Sequence, residues 1–485
     1  MANMNIDEKS LRAIISNLEK DVARRPKDIA TRLQLALSYM RLAEHDSARE
    51  HLEKVIELDK RNVEAHYYLG ILWADSGNVE EAKRAWMKAV SLNKSHGPSH
   101  YFLGKLYAIE GDLDAAIAST EKSRDANPGN VLARSQLGEL YLAKGRIRDA
   151  LNEWLEVLKL EPANLQGLHN VGAIYTDLKM YDEAIEVLER AERLGSEAPL
   201  VFYNKGLCYM AKGEHTKAIE ALLKAKELAP EDTVTMISLG EAYAMSGDVD
   251  SAIAQWEEVL QSSPDNLFAT YNLGLGYLEK GERDKAVEMW EKCKALNPAY
   301  LPPRQNLATL AINAGDFGKA IDEWRAISRL DPQNPQPWMV LGDLYYRSGN
   351  LAEARRITEE LLDKLAQAEP QDKDSRKLRS DTEFLYGTIL LASGNPGDGL
   401  DHWVRAMKYN PNFAFEAGGF ISRAIWPELT QFAEEHAKTE DHKKVLSLVK
   451  SFVKEDTRPP EGIRAVPELD ERGKAGFRWF FRGRK

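Results

Sequence analysis

Apolar residues in this chain recur in two helical stripes per 34 residues, and small residues mark where the stripes meet. Gly70, Gly104, Gly138, Gly172, Gly206, Gly240 and Gly274 are each 34 residues apart, and Gly342 falls on the same grid. Ala36 and Ala308 fill its two remaining points. In a frame opened at Ile29 these residues stand at position eight. Position eleven is aromatic in every unit but one: Tyr39, Trp73, Tyr107, Tyr141, Tyr175, Tyr209, Tyr243, Tyr277 and Tyr345, with Ala311 the exception. Position fifteen is usually Gly, position twenty is Ala in all ten units from Ala48 to Ala354, and position thirty-two is often Pro.

Each spacing has a helical meaning. Apolar residues at seven, eight and eleven share one face of a first helix, and those at twenty, twenty-four and twenty-seven share one face of a second. Small residues at eight and twenty let the two backbones approach. Gly at fifteen ends the first helix in a left-handed conformation, and Pro at thirty-two stops the second. Tryptophan recurs at twenty-four (Trp86, Trp154, Trp256, Trp290, Trp324 and Trp403), where it is expected to face the following unit and fill the core rather than stack on a ligand.

This pattern resembles the tetratricopeptide repeat family over about residues 29–413. The resemblance implies an all-α fold, a right-handed superhelical solenoid of antiparallel helix pairs with a concave inner groove, stabilised mainly between neighbours. The expected organisation is a capping helix in 1–28, ten tandem units over 29–368, a charged insertion at 369–379 and an eleventh unit at 380–413. A degenerate repeat and capping helices follow at 414–455, then a linker and basic-aromatic tail at 456–485. It reads as one continuous architecture rather than several domains.

Composition narrows the function. The chain has 485 residues, 65 basic and 76 acidic, for a net charge of −11, which disfavours general nucleic-acid binding. No run of 18 apolar residues exists, and the first residues show no secretory signal. Cys208 and Cys293 cannot form a disulfide framework or a zinc site by themselves. Asp372, Asp374 and Glu383 have calcium-loop spacing, but Arg376 and Lys377 replace a ligand and the turn glycine. Gly274-Leu-Gly276 lacks the third glycine of a dinucleotide loop, and His436 and His442 are badly spaced for a shared metal. A non-catalytic protein with no cofactor and no metal is expected.

In the family the inner surface comes from positions two, five, nine, twelve and thirteen of the first helix. The resemblance therefore implies an apolar lane through Leu200, Tyr203, Leu207, Met210, Ile237, Phe268, Tyr271, Leu275 and Leu278, with Val234 and Met245 beside it. It also implies that Asn170, Asn204, Asn272 and Asn306, at position six, hydrogen-bond the backbone of a bound peptide. Acids recur at position nine (Glu139, Glu241, Asp343) and thirteen (Asp75, Asp177, Glu279), which favours a protein or peptide partner that is both apolar and basic. Lys105 stands without the companions of a carboxylate clamp, which disfavours a heat-shock co-chaperone role.

Residues 472–485 carry six basic residues and no acid, including Arg472, Arg478 and Arg482, interleaved with Phe477, Trp479, Phe480 and Phe481. They suit an acidic protein groove, giving autoinhibition or self-association, or an anionic membrane surface; nucleic acid is the weakest fit. The favoured function is a cytoplasmic scaffold or adaptor that holds a protein segment. The alternative is a peripheral membrane-associated assembly factor anchored by this tail.

Overall fold

A computed structural model describes residues 8–366, 370–410 and 426–454. Among these residues all regular structure is helical, in 25 helices. The opening helix Glu8–Arg24 buries Leu11, Ile15 and Val22. Ten helix pairs follow on the predicted grid, from Ile29–Arg41 with His45–Leu58 to Gln336–Arg347 with Leu351–Ala366. The fold is an all-α solenoid of helix pairs.

The contacts divide the chain into two compact units, Met1–Asp232 and Thr233–Lys485. Where the sequence reads as one continuous array, this division falls on the grid itself, since Asp232 ends the sixth repeat and Thr233 opens the seventh. The first unit holds the opening helix and six pairs. The second holds four pairs, the longer pair Lys373–Ala392 and Pro396–Tyr409, and two closing helices, Trp426–Glu435 and Glu440–Lys454.

The periodic residues do what their chemistry permits. Every position-twenty alanine, Ala48 through Ala354, is fully buried. Position fifteen is left-handed throughout, with φ near +80° at Gly111 and Gly281. Ala43 and Lys179 adopt the same conformation at φ 57° and 61°, despite their Cβ atoms. Asp28, Asn62, Asn130, Asn164 and Asn266 cap first helices, each side chain accepting from backbone N–H groups of the first turn.

Position twenty-four shows a contact that the repeat pattern alone leaves unspecified. The six tryptophans are buried, as expected, but each lies first against its own unit's first helix. A Cβ on Gly240 would stand 2.3 Å from Trp256 Nε1, and one on Gly274 at the same distance from Trp290 Nε1. Glycine thus leaves room for the indole on the helix backbone. In four of the six the N–H then reaches a carbonyl there, as Trp86 donates to Tyr67 at 3.1 Å, Trp256 to Ile237 at 3.2 Å and Trp290 to Tyr271 at 3.3 Å, while Trp154 and Trp324 find no acceptor. The indole also reaches the following unit, as Trp86 does by stacking on Phe102 with ring centroids 5.0 Å apart.

The charged insertion lengthens helices. The second helix of the tenth repeat runs to Ala366, and Asp372 caps the 20-residue helix Lys373–Ala392 by accepting from Ser375 N at 2.8 Å. Asp372 is a cap and not a calcium ligand in this arrangement. Phe384 and Leu385 of this helix share a core cluster with Leu341, Leu344 and Tyr346 of Gln336–Arg347. In the closing helices Ala433 is fully buried, and His442 Nε2 lies 2.9 Å from Asp401 Oδ1. The weak twelfth repeat through Phe420, Ile421 and Ala424, the linker, and the tail residues Arg472, Phe477, Arg478, Trp479, Phe480, Phe481 and Arg482 lie outside the described residues.

Candidate functional site

In the first unit the residues expected on the inner surface separate into open and closed positions. Leu132 and Leu200, both at position two, are 62% and 54% exposed. Tyr203 and Leu207 are half-buried, while Asn204 and Met210 are buried. Asn170 is partly exposed, and its amide donates to Gln166 O of its own helix at 2.8 Å. Glu139 is exposed and accepts from Gln166 Nε2 at 2.8 Å, one repeat on. Asp177 and Lys105 are exposed as well. Apolar and acidic groups therefore share this face.

In the second unit Phe268 is 50% exposed, again at position two, while Ile237 and Tyr271 are half-buried. Leu275 and Leu278 leave the expected lane. They pack against Trp290 and against Leu307 and Leu310 of the next repeat, so positions nine and twelve here serve the joint between repeats. Two asparagine amides also bridge adjacent first helices. Asn272 Nδ2 donates to Glu241 Oε1 at 3.1 Å, and Asn306 Nδ2 donates to the Tyr271 hydroxyl at 3.3 Å. Asn272 is itself buried and Asn306 half-buried, so both amides serve the joint between neighbouring helices.

Asp343 is not an open groove carboxylate. It is buried with Met339 and Tyr346, the other inner positions of the tenth repeat, beside the long helix that follows. Arg347 approaches it only to 3.6 Å, and its Oδ1 has no hydrogen-bond partner. Burial outweighs the arginine and pushes this carboxyl up to about 7.

Tyr300 completes the aromatic surface, and position-by-position transfer from the family overlooks it. Its ring meets Phe268 at 6.3 Å and 74°, and Tyr271 at 5.6 Å and 80°, edge to face in both cases. Burial raises the Tyr300 hydroxyl well above its ordinary range, and the charge of Glu241 adds to the shift. The signal was available in sequence: Tyr300 stands where five other repeats carry a capping Asp or Asn. It makes no side-chain cap bond.

Cys208 and Cys293 are buried thiols, each raised by burial, the latter to about 12. Among the described residues no three His, Cys, Asp or Glu side chains converge as a metal site, and no helix is long and apolar enough to cross a membrane.

No curated protein sequence matches the chain. Among solved structures it is similar to YrrB, described as a TPR protein with an unusual peptide-binding site, at 26% identity over 39% of this chain and 97% of that one, with a TM-score of 0.35. It is similar to MamA at 28% identity over 34% and 90%, with a TM-score of 0.33. For PilF of Pseudomonas aeruginosa the identity is 20% over 44% and 96%, with a TM-score of 0.37. One tetratricopeptide-repeat model matches residues 33–93, 75–131, 177–233, 237–292 and 306–371, and a second matches 107–170. With these matches lying on the 34-residue grid and its stacked helix pairs, the chain belongs to the tetratricopeptide-repeat family.

Proposed function

We propose that this protein is a non-catalytic interaction scaffold whose first-helix faces hold an extended protein segment with apolar and basic side chains. One observation carries the reading: Leu132, Leu200 and Phe268 are half or more exposed at one repeat position, 68 residues apart. In each unit by itself, a large apolar side chain left open on a first helix offers a bound segment a place to bury its own apolar groups. Exposed Glu139 and Asp177 supply charge for basic side chains in the first unit, and Glu241 does so in the second. Aromatic and aliphatic anchors carry most of the energy of such contacts.

A photo-cross-linking amino acid tests this in the native cell. It is placed at Leu132, Leu200 or Phe268, and for comparison at Leu223 or Leu330, exposed residues of second helices. An adduct of one mass at the first three positions and not the last two supports the reading. Adducts at second-helix positions alone overturn it.

The membrane reading rests on the six basic and four aromatic residues of 472–485. Flotation of the full chain with anionic vesicles, lost when Arg478, Arg482 and Arg484 become Gln, would favour it. Absence of flotation removes it.

A further inference from the structure

We propose that Phe268, Tyr271 and Tyr300 form a three-ring subsite for an arginine side chain, and that its occupant is an arginine of this chain's own segment 472–485. The inference deepens the inner-face reading above by naming one subsite and what fills it.

Tyr300 departs from the capping chemistry that half of the first helices use, as Ala198 and Pro335 also do. Asp28, Asn62, Asn130, Asn164 and Asn266 each satisfy orphan N–H groups at the start of a first helix. Tyr300 occupies the same position and satisfies none. Unlike Ala198 and Pro335, Tyr300 carries a large aromatic side chain that meets its neighbours instead of the helix end. That side chain stands edge-on to both Phe268 and Tyr271, so three rings of the eighth repeat gather at one place. The Tyr271 ring is held by Asn306, and the Phe268 ring remains half open to solvent.

Ring faces attract cations, and a guanidinium stacks on aromatic planes while keeping its N–H donors for a carboxylate. The carboxylate is present. Glu241 is anchored through Asn272, and its charge bears on the Tyr300 hydroxyl. The charge of that carboxylate is what an incoming guanidinium would meet beside the rings. Segment 472–485 is the matching piece, with six basic residues, no acid and four aromatic side chains that can cover the rest of the apolar face. The rest of the chain carries 59 basic against 76 acidic residues, so the segment's charge stands opposite to that of everything before it.

Trypsin digestion of the full chain, followed by intact-mass spectrometry, tests the proposal. Arg464, in the Pro-rich stretch before the tail, serves as the internal reference. Docking slows cleavage after Arg478 and Arg482 relative to Arg464. Tyr300→Asn restores the residue type that caps the other repeats, so it keeps the fold while removing a ring, and Phe268→Leu removes another at an exposed position. Each should raise the tail-to-reference cleavage ratio roughly fivefold to tenfold, with the thermal midpoint of Tyr300→Asn no lower than that of the parent. Glu241→Gln should raise the ratio by a smaller factor. Protection that persists on dilution puts the tail on its own molecule, and protection lost on dilution puts it on a second copy; both agree with the proposal. A tail cut as fast as Arg464 in the parent overturns the occupant. A protected tail whose ratio ignores both ring substitutions overturns the subsite. Neither result touches cross-linking at Leu132 and Leu200, so failure here is separable from failure of the scaffold reading.

Discussion

Positions eight and twenty-four of a repeat are chosen together, because the space for the indole is the Cβ that glycine lacks. Gly240→Ala puts a methyl 2.3 Å from Trp256 Nε1, so the indole must move and its bond to Ile237 O stretch. The gain in helix propensity is about 1 kcal/mol, while overpacking costs about 1–3 kcal/mol, so net destabilisation is expected in urea unfolding. Trp256→Ala should cost about 3–5 kcal/mol. Adding Gly240→Ala to that variant should then be neutral or stabilising, since the clash is gone. Asp343 gives a prediction of the opposite kind. Its folded value of about 7 lies above the unfolded value of about 3.9, so the folded state binds the extra proton. Stability from this group is fully present below the unfolded value, falls as pH rises toward 7, and stays lost above it. Asp343→Asn should therefore be more stable than the parent near pH 8, by on the order of 1–3 kcal/mol, with the difference fading toward pH 4. Denaturation curves of the pair at several pH values check this, and a constant offset would contradict it.

At the scale of the helix and its turn, the sequence was most legible where a backbone conformation admits few residues. Glycine at fifteen, alanine at twenty and proline at thirty-two each answer a steric demand that is local to the repeat, so spacing alone located the helices. Two repeats disobey the first demand. Lys179 and Ala43 hold left-handed conformations that a Cβ makes costly, so Lys179→Gly should raise stability by about 1 kcal/mol. Lys179→Ala should not, and comparing their denaturation midpoints separates backbone relief from loss of the lysine. The candidate site was less legible, because exposure depends on which neighbouring element covers a helix face. Leu275 and Leu278 are apolar at the right positions yet buried by the next repeat, and Asp343 is closed in beside a helix lengthened by the insertion. Tyr300 is not among the inner positions that the family resemblance implies, because it sits in the turn before a first helix rather than on one.

Across the whole molecule a second period overlies the first. Lys144 pairs with Asp114, Lys212 with Asp182 and Lys280 with Asp250, at 2.7, 2.5 and 2.7 Å, and the lysines are 68 residues apart. Tyr141, Tyr209 and Tyr277 keep the same step, donating to Glu121, Glu189 and Glu257. The exposed Leu132, Leu200 and Phe268 follow it too, so alternate repeats carry both the linking polar pairs and the open apolar side chains. The exposed ion pairs contribute little stability individually. Salt at about 1 M should therefore leave the thermal midpoint nearly unchanged while weakening capture of a basic segment, because the screening length shrinks to about 3 Å. Titrations of the full chain with a fluorescent peptide of residues 472–485 at low and high salt read this directly, and salt-independent binding would show that charge plays no part.

The pairing of glycine with tryptophan also constrains how such a chain can change over generations. Where an indole already lies on the helix, an alanine opposite it is harmful, and the smaller Leu188 and Thr120 leave no more room, standing 2.4 and 2.1 Å from a Cβ at Gly172 and Gly104. The ninth repeat sets Ala308 opposite Trp324, whose indole N–H has no acceptor, and Trp154 opposite Gly138 lacks one as well, so glycine gives the indole room without ensuring the bond. Ala308→Gly should open a space like the one in which Trp290 reaches Tyr271 one repeat earlier. The repeats are thus not freely interchangeable cassettes, since each carries paired choices that a transplanted residue would have to fit.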